Sequence, residues 1–166
     1  MSTRWKPSAT VAAIIEDKGK FLLVEEQTAE GLRLNNPAGH LDKGESLVDG
    51  CVRETLEETM HLFRPTYLLG AYLSRFERAD QDITYLRFAF CGELGALQLG
   101  RTLDTGIVRT LWLTADEIRA SSDLHRSPLV VRCMEDYLAG QRYPLNLLYT
   151  DPSLTGLLPQ PVDAKA

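Results

Sequence analysis

The chain has 166 residues, 44% hydrophobic and 25% charged, a balance that suits one soluble globular domain and leaves too little length for two ordinary ones. A net charge of −5 argues against a nucleic-acid polymer as partner, because binders of the phosphate backbone carry a basic patch. Small phosphate compounds stay open if a divalent metal supplies the missing positive charge.

At the N-terminus the apolar run covers only residues 11–15 before Glu16 and Asp17 end it, so neither a signal peptide nor a membrane span is expected. Residues 10–15 and 21–25 are apolar and partly β-branched, and the turn chemistry of residues 16–20 between them predicts a β-hairpin. Residues 32–36 read as a short strand stopped by Pro37, after which Gly39 opens a loop. The clearest helix runs from Ser46 to about Met60. Two strands follow, over residues 67–75 and 83–91, with the charged run 77–82 as their loop. Residues 107–113 form another strand leading to Thr114, which stands three residues before Glu117 as in a capping box for a helix beginning at Asp116. Pro128 suits the start of a last helix over residues 129–139, and Gly140 suits its end. The tail from Thr150 holds three prolines and little apolar pattern. These elements predict one mixed α/β sandwich domain over residues 7–148, with a flexible tail over 149–166. Cys51, Cys91 and Cys133 are odd in number, far apart and without metal-ligand spacing. They predict free thiols in a reducing, cytoplasmic setting.

Within the run GHLDKGESLVDGCVRETLEETMH, from Gly39 to His61, the residues Gly39, Glu45, Arg53, Glu54, Glu57 and Glu58 stand at fixed spacing. On a helical wheel with Arg53 at 0°, Glu57, Glu54 and Glu58 share an arc of roughly 100°. Val48, Val52, Thr55, Leu56, Thr59 and Met60 form the expected buried stripe on the other side. Gly50 costs about 1 kcal/mol of helix propensity and leaves room beside the acids. The glutamates repel one another, Arg53 relieves part of that repulsion, and a hard divalent cation with oxygen ligands would relieve the rest. A helix carrying Arg-Glu-x-x-Glu-Glu alone is usually a solvated face. The further match of Gly39 and Glu45 lowers the odds of coincidence to on the order of 10⁻⁵.

This constellation resembles the Nudix box, G-x5-E-x7-R-E-U-x-E-E-x-G-U, where U is aliphatic. The chain departs from it at Thr55, Met60 and His61. Met60 stands where a glycine normally provides the left-handed helix end, so altered loop geometry with intact chemistry is expected there. The segments NPAGHL, LRFAF, RSPLV and GQRYPL, spread from residue 36 to 145, are similar to the bacterial NudJ-type phosphatases of this superfamily. The resemblance implies a Nudix-type α/β/α sandwich with a central mixed β-sheet. It also implies hydrolysis of small pyrophosphate compounds with Mg²⁺, for which Mn²⁺ can substitute.

Carried over residue by residue, the resemblance implies Glu57 and Glu58 as principal metal ligands and Glu54 as a ligand or the base for the attacking water. The carbonyl near Ala38 and Gly39 would complete the shell, Arg53 would orient the glutamates, and Glu45 would support the loop, the helix start or an outer metal. For substrate binding the candidates are His40, Arg87, Asp104 and Tyr143. Each has a plainer reading: a loop cap for His40, a surface ion pair for Arg87 and a turn aspartate for Asp104. For Tyr143, with Arg142, the plainer reading is a C-terminal clamp on the core. His61 and His125 read as surface residues and Trp112 as core.

The leading expectation is a phosphatase releasing orthophosphate from nucleoside tri- and diphosphates or from 4-amino-2-methyl-5-hydroxymethylpyrimidine pyrophosphate. An ADP-ribose or nucleotide-sugar pyrophosphatase is the enzymatic alternative, and a non-catalytic nucleotide-binding module is the alternative of another class. The expected partner is a small pyrophosphate or nucleotide, with no nucleic-acid polymer and no membrane. The sequence sets neither the physiological substrate nor the oligomeric state.

Overall fold

A computed structural model describes residues 4–78, 81–154 and 156. In chain order the elements are β1 (Ser8–Ile14), β2 (Glu16–Asp17), β3 (Lys20–Thr28), β4 (Gly31–Asn35), β5 (Ala38–His40), α1 (Leu47–Thr59), β6 (His61–Arg78), β7 (Gln81–Leu97), β8 (Ile107–Thr114), α2 (Ala115–Ala120), α3 (Leu129–Leu138) and β9 (Tyr143–Pro144). The expected tail, 149–166, falls mostly outside the described residues. Among those described, no helix is long and apolar enough to cross a membrane.

The main sheet runs β5-β1-β7-β6-β9 and is mixed, since β1 lies parallel to β7 while the other pairs are antiparallel. A second sheet gathers β2, β4 and β8 around β3. Val11, Ala13 and Ile15 point to the side of α1, where Cys51, Phe63, Leu68 and Phe90 complete a buried cluster. Ala12 and Ile14 point the other way, toward Phe21, Leu23, Ile118, Val130 and Met134. A strand covered on both faces reads as one continuous apolar run, which is what residues 11–15 are. Helices thus cover both faces of the central sheet.

The structure corrects the expected pairing of residues 10–15 with 21–25. Their strands lie in different sheets, and the hairpin is formed by β2 and β3 instead. Its turn holds Lys18 at φ 50° and Gly19 at φ 80°, both left-handed, which matches the twist of the flanking strands. β6 and β7 are also longer than predicted, so much of the charged run 77–82 belongs to strands, with Glu77 opposite Asp82.

α1 begins where expected, with the Ser46 hydroxyl accepting from the Asp49 amide at 3.1 Å. Its end holds a second finding. Met60 adopts the left-handed conformation at φ 59° in place of the usual glycine, and its N–H still donates to the Leu56 carbonyl. The cap geometry is therefore retained rather than altered. A left-handed residue with a Cβ carries a strain of roughly 1–2 kcal/mol.

The buried arc of α1 differs from the expected stripe. It comprises Gly50, Cys51, Glu54, Thr55, Glu58 and Thr59, whereas Val48, Val52, Leu56 and Met60 are only half-buried. The Thr55 hydroxyl donates to the Cys51 carbonyl at 2.8 Å and that of Thr59 to the Thr55 carbonyl at 2.6 Å. With their hydroxyls satisfied inside the helix, both threonines serve as core residues. α2 carries the predicted capping box between Thr114 and Glu117 and starts one residue early, at Ala115.

Candidate active site

Gly39 does not open a loop as expected: with Ala38 it lies in β5, paired with β1 and set against α1. The Ala38 amide donates to Glu58 Oε2 at 2.9 Å. Gly39 sits so close to the Glu54 carboxylate that a Cβ there would overlap it. Gly50 has a similar reason, because its missing side chain leaves space taken by Glu45 Oε1 and Leu41.

Arg53 is the hub of this corner. Its Nε and Nη2 donate to Glu45 at 3.0 and 2.7 Å, and Nη1 donates to Glu54 Oε1 at 2.8 Å and to Glu57 Oε2 at 3.0 Å. Nη2 also reaches the His40 carbonyl at 3.0 Å. Glu45 accepts further from the Asp42 amide at 2.7 Å, so it ties the loop to the helix. The hydrogen bonds from Arg53 come first among the causes that hold Glu45 below the usual carboxylate range.

A cleft of about 600 Å³ opens beside this corner. Glu54, Glu58 and Asp104 line one part of it, Thr10 and Arg87 come from the main sheet, and Glu26, Asn35 and Arg126 approach from the β3–β4 side and the loop before α3. Burial pushes Glu58 up to about 8, and the charges of Glu54, Glu26 and Asp104 add to the shift. Glu54 is raised as well, again chiefly by burial, although Arg53 opposes the change. Two buried carboxylates with a third beside them make a strongly cation-seeking floor.

Arg87 is the opposite case. It is only 8% exposed, and neither its Nε nor its Nη1 meets a hydrogen-bond partner. This removes the expected surface ion pair. Burial lowers the guanidinium from its ordinary value, with Glu26 and Glu58 facing it. A buried charge left without a close partner costs roughly 3–5 kcal/mol.

Of the remaining predicted residues, His40 lies exposed at the cleft with its ring 6.1 Å from that of Tyr85. Asp104 is both a turn residue, bonding Thr105 N–H through Oδ1, and a cleft residue, placed there by its own N–H donating to the Glu57 carbonyl at 2.9 Å. Glu57 does not line the cleft; it is turned onto Arg53. Tyr143 is not among the lining residues either. It pairs with Leu68 at the sheet edge in β9, while Arg142 stacks over Tyr137 at 3.9 Å and donates to the Tyr137 carbonyl, as in the clamp reading. His61 and His125 are half-buried rather than on the surface, the first against the Thr59 carbonyl and the second beside Ser121. Trp112 is 36% exposed and so does not belong to the core. The three cysteines are free and buried, as expected.

Sequence reasoning missed Thr10, Glu26, Asn35 and Arg126. Cross-strand register brings Thr10, Glu26 and Asn35 there, Thr10 beside both His40 and Arg87, while Arg126 is placed by its N–H on the Leu34 carbonyl at 2.8 Å, and no local spacing encodes either.

Among the described residues no three His, Cys, Asp or Glu side chains already stand in a metal-holding arrangement. The donor set nevertheless fits a hard divalent cation. Glu54, Glu58 and Asp104 offer only oxygen and share one cleft, and their mutual repulsion is offset only in part, by Arg53 on Glu54 and by the charge of Arg87 near Glu58.

Comparison with known proteins agrees with this geometry. The NUDIX domain family model matches residues 5–133. The chain is 39% identical over 145 residues to "Phosphatase NudJ" of Escherichia coli K12, covering 87% of this chain and 92% of that protein. Among solved structures, a NUDIX hydrolase from Nitrosomonas europaea superposes with a TM-score of 0.82 at 51% identity, covering 88% of this chain and 98% of that one. A MutT NUDIX hydrolase from Burkholderia pseudomallei shares the fold at a TM-score of 0.64 and 18% identity, covering 80% and 98%.

Proposed function

The chain belongs to the Nudix hydrolase family, and from that premise we propose that it is a Mg²⁺-dependent phosphatase. Its substrates would be small phosphoric anhydrides, namely nucleoside tri- and diphosphates and pyrimidine pyrophosphates, with release of orthophosphate. The observation that carries this reading is the buried carboxylate floor, Glu54 and Glu58 with Asp104 beside them, at the base of a cleft of about 600 Å³. Such a floor repels an anionic substrate unless a cation intervenes. The similarity to phosphatase NudJ over most of both chains supports a phosphatase activity.

Glu54 and Glu58 would hold the metal, with Asp104 beside them and backbone oxygen from Ala38 and Gly39 in β5, while Glu57 stays on Arg53 at the edge of the site. When bound, the cation would lower the pKa of a water and screen the diphosphate from the carboxylates. Glu54, whose carboxyl burial raises, is suited to take the proton of the attacking water. Arg53 fixes the rotamers of Glu54 and Glu57 from one nitrogen, so both carboxylates keep their positions without substrate. Glu45 anchors Arg53 from the far side and acts as a positioning residue. The Ala38 amide holds one oxygen of Glu58, which leaves the other directed to chemistry.

A Mg²⁺-supplemented screen of nucleotides, nucleotide sugars and pyrimidine pyrophosphates with phosphate detection tests the assignment. Orthophosphate from nucleoside di- or triphosphates is the expected product. AMP from ADP-ribose would point to a pyrophosphatase instead, and tight binding without turnover across the panel would point to a non-catalytic module. Glu58→Gln should cut turnover by on the order of 10³ or more while the fold stays intact. Wild-type-like turnover in that variant would sink the proposal.

A further inference from the structure

β6 has an outer neighbour over only part of its length. β9 pairs with it at Tyr67 and Leu68, and among the described residues no strand pairs with the outer edge of residues 70–78. The devices that usually blunt an exposed edge lie in the other half of the strand. Pro65, the three breaks in register and the cover of β9 all fall between residues 61 and 70, whereas residues 70–78 pair with β7 without a break. A regular, uncovered edge is a template for a further strand. What guards it here is charge, and the arrangement of that charge suits a copy of itself.

Exposure alternates along this stretch. Ala71, Leu73, Arg75 and Glu77 are exposed, and Tyr72, Ser74 and Phe76 between them are half-buried. Leu73 is 69% exposed, so the row offers apolar area as well as charge. Glu77 stands opposite Asp82 on β7, a like-charge pair that costs stability. Arg75 relieves it unevenly: it reaches both Asp82 oxygens, at 2.7 and 2.9 Å, and Glu77 through one nitrogen at 3.2 Å. Glu77 is the less satisfied acid and stays open to a second cation.

A second β6 laid antiparallel with its two-fold axis at Phe76 supplies that cation. Residues equally far before and after Phe76 then face each other, so Arg75 of each copy meets Glu77 of the other. Phe76 meets its own counterpart, an aromatic cross-strand pair. A parallel copy in register would set Arg75 against Arg75 and Glu77 against Glu77, so charge selects the antiparallel arrangement.

We propose that residues 71–77 of β6 form a docking edge for a second copy of this chain, joined antiparallel about Phe76 so that the two main sheets become one. Ser74 and Phe76 line the cleft, and the second copy therefore brings its own Phe76 to the rim of the first copy's cleft. The edge is short, so affinity in the micromolar range is expected. Pairing of this kind is independent of the reaction proposed above.

Sedimentation equilibrium of the full chain from about 5 to about 500 µM tests this, with Arg75→Glu, Glu77→Arg and the two combined measured alongside. Wild type should show a monomer–dimer equilibrium. Each single reversal should weaken it at least tenfold, and the combined exchange should recover much of the loss, because the swapped charges meet again in this register. Phe76→Cys should give a disulfide-linked dimer on mild oxidation, since facing Cα atoms in such a pair lie about 4.5–5.5 Å apart. The three native cysteines are buried, and wild type is their control. Wild type that stays monomeric throughout would overturn the proposal. So would a dimer that neither reversal weakens, or a Phe76→Cys protein that is folded by circular dichroism and yields no cross-link. Single reversals that weaken the dimer without recovery in the combined exchange would overturn the register about Phe76.

Discussion

Arg53 and Arg87 serve the same cleft and are handled in opposite ways. Arg53 is half-buried at the rim with five hydrogen bonds, to Glu45, Glu54, Glu57 and the His40 carbonyl. Arg87 is buried, and two of its nitrogens have no partner. The first arginine organises the carboxylates from within the protein, so its bonding capacity is saturated before any ligand arrives. The second has Nε and Nη1 without a hydrogen-bond partner, although the charges of Glu26 and Glu58 stand near it. One arginine is satisfied by the protein itself and the other is not.

The comparison breaks most visibly at Arg53. Arg53→Ala leaves Glu45, Glu54 and Glu57 without their common cation, and should lower stability by roughly 2–4 kcal/mol and turnover by on the order of 10² or more. Denaturant melts and phosphate release would show both effects together. If Arg53→Ala melts like wild type, the hub does not organise the corner.

A pH series probes the floor itself. Glu58 is raised to about 8 in the fold from an ordinary 4.5. Between those values the folded state keeps a proton that the unfolded state has released, so metal-free stability is full below about 4.5 and is lost as pH rises toward 8. A cation must displace that proton, so apparent Mg²⁺ affinity should weaken by up to about tenfold per unit below pH 8. Melting curves with and without Mg²⁺ between pH 5 and 9 should therefore diverge as pH rises.

Gly39→Ala places a methyl group against the Glu54 carboxylate, and about a tenfold loss of turnover is expected with the fold retained, checked by circular dichroism and steady-state kinetics. Met60→Gly should have the smallest effect. It relieves the left-handed strain and should stabilise by up to about 1 kcal/mol without changing kcat/KM.

Much of this was legible in the chain, for identifiable reasons. α1 announced itself through Ser46 and its periodicity, and α2 through Thr114 and Glu117, because caps are local chemistry. The six spaced residues from Gly39 to Glu58 fold into one corner for the same reason: a loop and a helix keep sequence neighbours close. The face that α1 buries was not legible. Hydropathy favours Val48, Val52 and Leu56, whereas the sheet and cleft take Cys51, Glu54, Thr55 and Glu58, and the threonines qualify only because their hydroxyls bond inside the helix. Arg87 could be read as a phosphate contact or an ion pair, and register alone decides its surroundings. Thr10 and Asn35 carry no local signal, since strands distant in sequence bring them to the cleft. Tyr143 was drawn toward the substrate by its neighbours in sequence, and its pairing with Leu68 takes it to the sheet edge.

Direct binding of Mn²⁺, followed by electron paramagnetic resonance at pH 8 in wild type and Glu58→Gln, bears most closely on the carboxylate floor. Saturable binding by wild type that weakens at least tenfold in the variant, with both proteins equally folded, is the predicted result. Equal binding by the two proteins would contradict it.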